Sequence, residues 1–171
     1  ELFSSTVDGF DLLEARGHAT WVPPRETEGL ALLSGQPAFR LHSQFDDGAL
    51  SMAAKISGRE PVLIHPTDAA TRGISDGDVV ELSSPRGRCL AGARLTEDIA
   101  PGSVFLWTGT WYQPDSEGNC QHGNPNVLTH DLRTSEWSQS PAAYSTRVEI
   151  APFNGEPPPI TVHGPPAFSA G

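Results

Sequence analysis

Basic side chains are scarce in this chain of 171 residues: 11 Lys and Arg stand against 21 Asp and Glu, for a formal charge of −10. Phosphate recognition needs clustered Lys and Arg, so nucleic acid is not an expected partner, and the acidic balance reads as a solubilising surface. No run of about 18 apolar residues occurs, so no segment is expected to span a membrane as a helix. Glu1 to Phe10 has neither a basic start nor an apolar stretch, so no secretory signal is expected there. The first residue is not Met, as in a processed or excised chain, which leaves cytoplasm and periplasm both open for the parent protein. Cysteine is almost absent: Cys89 and Cys120 have no C-x-x-C spacing, no disulfide is supported, and Cys89 is expected as a free thiol buried among apolar neighbours. Hydrolase and metal signatures are missing as well. The only Gly-x-Ser-x-Gly string, Gly73 to Gly77, lies between a helical turn and a strand and so lacks the strand-to-helix context of a nucleophile elbow. His42 cannot act as a base for Ser43 by adjacency alone, and Cys120, His122 and His130 match no structural zinc spacing. No Gly-rich loop ending in Lys is present to cradle a phosphate.

What the chain does have is turn chemistry. With 17 Gly and 16 Pro, and 37% hydrophobic residues, it is expected to form one globular domain of short strands more than long helices. Leu30 to Leu33 is a short apolar run ended by Ser34-Gly35-Gln36-Pro37 and reads as a buried strand. Val62-Leu63-Ile64 reads as another, followed by a helical turn that Pro66 opens and Gly73 closes with positive φ. Asp76-Gly77 then turns the chain into a strand over Asp78 to Ser83, and Pro85-Arg86-Gly87 turns it back into Arg88 to Leu95. Val104 to Trp107 and Thr146 to Ile150 complete the set, with Asn126 to Thr129 expected as a short strand or extended segment and 133–140 as one or two helical turns. Residues 1–29 read as an extended lead-in from a preceding domain, pinned by Trp21. Residues 30–150 read as the barrel domain, and 151–171 as a Pro-rich disordered or extended tail.

Two short segments carry the chemistry. Arg40-Leu41-His42-Ser43-Gln44 and His122-Gly123-Asn124-Pro125-Asn126-Val127-Leu128-Thr129 are dense in neutral donors and acceptors, which suit a flat polar heteroaromatic ligand. Each taken alone also reads as ordinary turn chemistry, a polar cap at His42-Ser43-Gln44 and an Asn-Pro turn at Asn124. Pro125 holds Asn124 extended. The Trp107, Trp111 and Tyr112 cluster reads as packing at a barrel rim.

Taken in order with the run Pro61 to Val80 between them, these segments resemble the C-terminal dinucleotide-binding domain of the dimethyl sulfoxide reductase family. The look is that of the biotin sulfoxide, dimethyl sulfoxide and trimethylamine N-oxide reductase branch. The resemblance implies a six-stranded double-psi β-barrel of the aspartate-decarboxylase type, mainly β with short helices. It also implies molybdopterin guanine dinucleotide as ligand, two copies of which hold molybdenum in a full-length enzyme. The cofactor-binding residues it points to are Ser34, Gln36, Arg40, His42, Ser43, Gln44, His122, Gly123, Asn124, Asn126, Val127, Asp131 and Gln139. Asp131, Thr134, Ser135 and Gln139 extend the pattern, with Asp131 either pairing with a guanine edge or capping a helix. Ala19 and Gly35 stand where Pro is frequent in the family, and Arg133 and Ser140 where Gly is usual. The expected partners are the remaining domains of a molybdoenzyme and its S-oxide or N-oxide substrate. No catalytic residue or metal ligand is expected in this piece, and alone it is expected to be inactive. The rival reading is a double-psi barrel that binds protein or recognises a substrate without a cofactor. The two polar segments are what such a barrel has no reason to carry.

Overall fold

The computed structural model describes residues 4–9, 17–18, 21, 23, 27–133 and 140–165. Six strands, β1 (Leu30–Leu33), β2 (Pro61–Ile64), β3 (Val79–Ser84), β4 (Gly87–Leu95), β5 (Ser103–Leu106) and β6 (Arg147–Pro152), close into a barrel in the order β1-β5-β2-β4-β3-β6. The pairs β1/β5 and β2/β4 are parallel, and the other four are antiparallel. This is the six-stranded double-psi β-barrel that the family resemblance implied. Three short helices accompany it, α1 (Ser5–Asp8), α2 (Ala49–Ala54) and α3 (Pro66–Ala70), with 3-10 turns at Pro125–Val127 and Ala143–Ser145. Among the described residues no helix is long and apolar enough to cross a membrane.

The barrel closes because every strand supplies alternate apolar side chains to one interior. Leu30 and Leu32, Val62 and Ile64, Val80 and Leu82, Val104 and Leu106, and Val148 and Ile150 each come from a single strand at period two. On β4 the inward residues are Cys89, Ala91 and Ala93, small enough for the barrel to close over them. Outside β4, Ile56 packs so tightly that a Cβ on Gly92 would lie 2.3 Å from Ile56 Cβ. Leu82, fully buried, is expected to cost about 2–5 kcal/mol when cut to Ala, read as a drop in the urea midpoint, while the same change at exposed Leu41 leaves the midpoint in place.

Helix α3 follows its sequence signals. His65 caps it by accepting from the Thr67 amide at 3.2 Å, Pro66 takes the first turn, and Gly73 leaves at φ 66°. Asp68 then accepts from the Gly102 amide at 2.7 Å, fastening the helix to the turn before β5.

Several expectations need correcting. Asn126 to Thr129 is not extended: Pro125–Val127 is a 3-10 turn, because Asn124 Oδ1 accepts from the Asn126 amide at 3.0 Å and Pro125 has the φ the turn requires. Trp21 does not pin the lead-in, since 80% of it is exposed. The lead-in also contains one helical turn, α1, capped by the Ser4 hydroxyl. Most of the turns expected over 133–140 lie outside the described residues. Residues 151–165 are not disordered. Strand β6 runs on to Pro152, and the extended chain beyond it is held by side chains of the barrel loops. Gln113 Oε1 accepts from the Thr161 and Val162 amides at 2.7 and 2.9 Å, its Nε2 donates to Pro159 O at 2.9 Å, and Arg59 donates to Pro158 O. Proline removes donors but leaves its carbonyls, and those carbonyls are what Gln113 and Arg59 take up.

Candidate functional site

The loop between β1 and α2 presents the first polar segment. Gln36 folds back on it, accepting from the His42 amide at 3.1 Å and donating through Nε2 to His42 Nδ1 at 3.0 Å. An amide nitrogen only donates, so His42 Nδ1 is the acceptor and the ring proton sits on Nε2, which points away from Gln36. His42 and Phe45 take φ of 50° and 63°, uncommon for residues with a Cβ. Strain of this kind is held only where surrounding contacts over-determine it.

Those contacts come from beneath. Arg40 is 6% exposed, and its guanidinium donates to Thr108 O (2.8 Å from Nη2, 3.3 Å from Nε), Thr110 Oγ1 (3.1 Å) and Ser51 Oγ (3.0 Å). It also lies 2.9 Å from Glu60 Oε1 and 3.4 Å from Asp46 Oδ1. Lys55 Nζ bridges the same two carboxylates, at 2.9 Å from Asp46 and 3.1 Å from Glu60, and Thr110 donates to Glu60 at 2.6 Å. Two cations and two anions thus balance in a buried interior, where each would be costly alone.

The segment 108–111 joins this network to both polar segments. Trp111 donates its amide to Asp46 Oδ2 at 3.0 Å and its indole N–H to Ser43 O at 2.7 Å. Asn124 Nδ2 donates to Thr110 O at 2.7 Å, and His122 Nδ1 donates to Trp111 O at 2.9 Å. Gly109 completes the joint at φ 89°: a Cβ there would stand 1.8 Å from His42 O. The two segments that the sequence singled out are therefore neighbours, cemented by a third that was read only as rim packing.

Burial raises the Asp46 carboxyl, but the Trp111 amide, Lys55 and His163 outweigh it and hold it at about 2. Burial lowers His122 to about 4, with Lys55 adding to the effect, so the ring is neutral at pH 7. Both depressions act in one direction. Asp46 contributes stability above its ordinary range near 3.8 that is lost as pH falls through about 2, and His122 contributes stability that is full above 6.5 and falls toward 4. Unfolding free energy is expected to be flat, as far as these groups set it, from pH 9 to 7 and to drop by about 3 kcal/mol by pH 4. In His122→Asn that slope between 6.5 and 4 is expected to shrink, as read by urea melts at each pH. His163 Nε2 meets Asp46 Oδ2 at 3.0 Å, and Asp46, His122 and His163 offer ligand atoms within 4.8 Å of one another. Lys55 and Arg40 already neutralise the carboxylates, so a divalent cation would be uncompensated there, and we assign no metal ligand.

The structure sorts the expected cofactor residues into two groups. Arg40, His122 and Gly123 were expected at the ligand, but their side-chain positions face inward. Arg40 and His122 are spent on the network, and a Cβ on Gly123 would lie 2.5 Å from Glu60 Cβ. Asn124 is half-buried with its amide used at both ends, and Val127 packs on the core. Gln36 is exposed but occupied with His42, and half-buried Ser34 accepts through its carbonyl from Tyr144 at 3.2 Å. Ser43, Gln44 and Asn126 are exposed, with no side-chain hydrogen bond among the described residues, and His42 is exposed beside them. Asp131 is exposed and tied to neither segment, and Gln139 lies outside the described residues. Asp46, Lys55, Glu60, Thr110 and Trp111 as a unit were missed, since nothing in their spacing marks them as partners.

Residues 30–147 match the family model of the molydopterin dinucleotide binding domain. The chain belongs to that family. Among its relatives are the trimethylamine-N-oxide reductase of Haemophilus influenzae, 41% identical over 97% of this chain and 22% of its own length, and the biotin sulfoxide reductase of Cereibacter sphaeroides, 40% identical over 91% and 22%. Trimethylamine-N-oxide reductase 1 of Escherichia coli K12 is 39% identical over 94% of this chain and 21% of its own. The chain spans about one fifth of the length of these relatives. Acetylene hydratase from Pelobacter acetylenicus shares the fold, with a TM-score of 0.69 over 90% of this chain and 23% of its own at 16% identity. Ser43, Gln44 and Asn126, with the Nε2–H of His42, are the outward-facing donors and acceptors of the two polar segments. The rival reading of a cofactor-free protein-binding barrel is set aside by the family match.

Proposed function

We propose that this chain is the cofactor-binding domain of a molybdenum oxidoreductase that reduces S-oxides or N-oxides by oxygen-atom transfer, and that it binds molybdopterin guanine dinucleotide. The observation that carries the reading is the convergence of the His42-Ser43-Gln44 loop and the Asn124–Asn126 turn on segment 108–111, within the matched domain. The substrate class is supported by the relatives, which are named as trimethylamine-N-oxide, biotin sulfoxide and dimethyl sulfoxide/trimethylamine N-oxide reductases.

Bound, the dinucleotide supplies the redox chemistry through the metal it carries. The residues of this chain bind and orient it. Gln44 and Asn126 each offer a carbonyl and an NH2, the pattern that reads the edge of a purine. Ser43 Oγ and His42 Nε2–H offer donors to oxygens of the ligand, and the Gln36 bond fixes which ring nitrogen of His42 carries the proton. Arg40, Asp46, Lys55 and Glu60 act below the surface: they hold the loop in its strained form, so little is lost in ordering it on binding. The partner domains of the parent protein would enclose the other side of the ligand and exclude water.

NMR titration of the isotope-labelled chain with GMP tests this reading. Shifts are expected to cluster on His42, Ser43, Gln44 and Asn126, and shifts confined to the far end of the barrel would count against it.

A further inference from the structure

Cys89 and Cys120 stand 31 positions apart in sequence, yet the fold makes them partners in a parallel bridge. Leu90 donates to Cys120 O at 2.8 Å and Cys120 donates to Arg88 O at 2.9 Å, which sets the two cysteines side by side with their side chains on the same face. Strand neighbours lie about 4.8 Å apart, inside the window of about 4.4–6.8 Å between Cα atoms that a disulfide spans. The two are free thiols, both fully buried. Cys120 Sγ sits in a small nest of backbone donors, accepting from the His122 amide at 3.4 Å and the Asn124 amide at 3.3 Å. Two N–H groups aimed at one sulfur favour negative charge on it. A surface cavity of about 450 Å³ lies against the segments that carry both cysteines, with Gln113, Asn119, Phe153 and Pro158 also lining it, while the two side chains themselves belong to the buried core.

We propose that Cys89 and Cys120 form a dithiol modification site, which a hydroperoxide converts into an intramolecular disulfide. This inference goes beyond the cofactor reading and does not depend on it. The electrostatics agree with the geometry. The adjacent Cys89 side chain, with the His122 and Asn124 amides, holds Cys120 down at about 6 against the opposing effect of burial, while burial pushes the Cys89 thiol up. Cys120 is thus the nucleophile and Cys89 the resolving thiol. The Cys120 thiolate attacks one peroxide oxygen, the O–O bond breaks, and the departing oxide takes a proton from water, leaving Cys120 as sulfenic acid. Cys89 then gives up its proton, its sulfur attacks Cys120, the S–O bond breaks and water leaves. In sum, two thiols and one hydroperoxide give one disulfide, one water and one alcohol (a second water when the oxidant is hydrogen peroxide). A disulfide sulfur is a poor acceptor, so oxidation withdraws the partner of the His122 and Asn124 amides and loosens the turn at Pro125–Val127.

The test treats the reduced chain with hydrogen peroxide, blocks free thiols with iodoacetamide, digests it and seeks the joined peptides by mass spectrometry. The expected product is a single cross-linked pair carrying Cys89 and Cys120, removed by dithiothreitol, with amide exchange at His122 and Asn124 faster than in the reduced chain. In Cys89→Ser the cross-link is absent, and Cys120 is instead captured by a sulfenic acid trap such as dimedone. Two results would overturn the proposal: both thiols still open to alkylation after denaturation of the peroxide-treated chain, or Cys120 carried to sulfinic acid in the unmutated chain with no link to Cys89.

Discussion

Replacing Arg40 with Ala is expected to destabilise the chain by about 3–5 kcal/mol and to free the His42–Gln44 loop. The side chain is buried, and its removal leaves Asp46 and Glu60 with Lys55 as their shared cation. It also strips Thr108 O of two donors and Ser51 Oγ and Thr110 Oγ1 of one each. Much of the loss comes from the uncompensated charge, not from the contact itself. Arg40→Lys keeps the charge but cannot donate from two nitrogens to Thr108 O while also reaching Thr110, so it is expected to recover only part of the loss. Urea melts give the energy, and hydrogen exchange at residues 41–44 reports the loop. Unchanged exchange there in Arg40→Ala would show that the network does not hold the loop.

Gly109→Ala is expected to be worse for the site than for the barrel. A Cβ at 1.8 Å from His42 O cannot be accommodated by swinging a side chain, because the obstacle is backbone, and a φ of 89° is itself unfavourable for Ala. Segment 108–111 and the 41–44 loop must separate, which breaks the joint between the two polar segments. The barrel strands end at Leu106 on one side of this joint and are not required to move. Gly73→Ala is the control. Its φ is 66°, but a Cβ there meets nothing within 4 Å, so it is expected to cost about 1–2 kcal/mol and leave the ligand face intact. Gly109→Ala is expected to abolish the GMP-induced shifts at Ser43 and Gln44, and Gly73→Ala to preserve them.

The barrel was legible because its information is local. Leu30 to Leu33, Val62 to Ile64 and Val104 to Leu106 are short apolar runs between turn residues, and Pro66 and Gly73 punctuate α3 where the structure starts and leaves it. Asn126 to Thr129 misled on shape: Asn124 is extended before Pro125 as expected, but its side chain caps the residue two ahead and Pro125–Val127 closes into a turn. The candidate ligand face was half legible. Residue type marked His42, Ser43, Gln44 and Asn126, all of which lie outside, but it marked Arg40 and His122 with equal force, and these lie within. What separates them is pairing across long sequence distances: Arg40 with Thr110, Asp46 with His163, Cys89 with Cys120. No periodicity encodes such pairs. The tail is extended, one of the two forms expected of it, but what holds it was not legible, because Gln113 and Arg59 lie 46 and 99 positions from the carbonyls they bind.

The most direct test of the central claim is the guanine nucleotide content of the full-length protein that carries this chain, measured after acid release and compared with Gln44→Ala/Asn126→Ala. The two side chains are exposed and unbonded among the described residues, so the double variant is expected to fold and melt as the parent does. The account predicts that it retains less guanine nucleotide per mole of protein. Undiminished nucleotide in a folded double variant would contradict the assignment of these loops as the cofactor face.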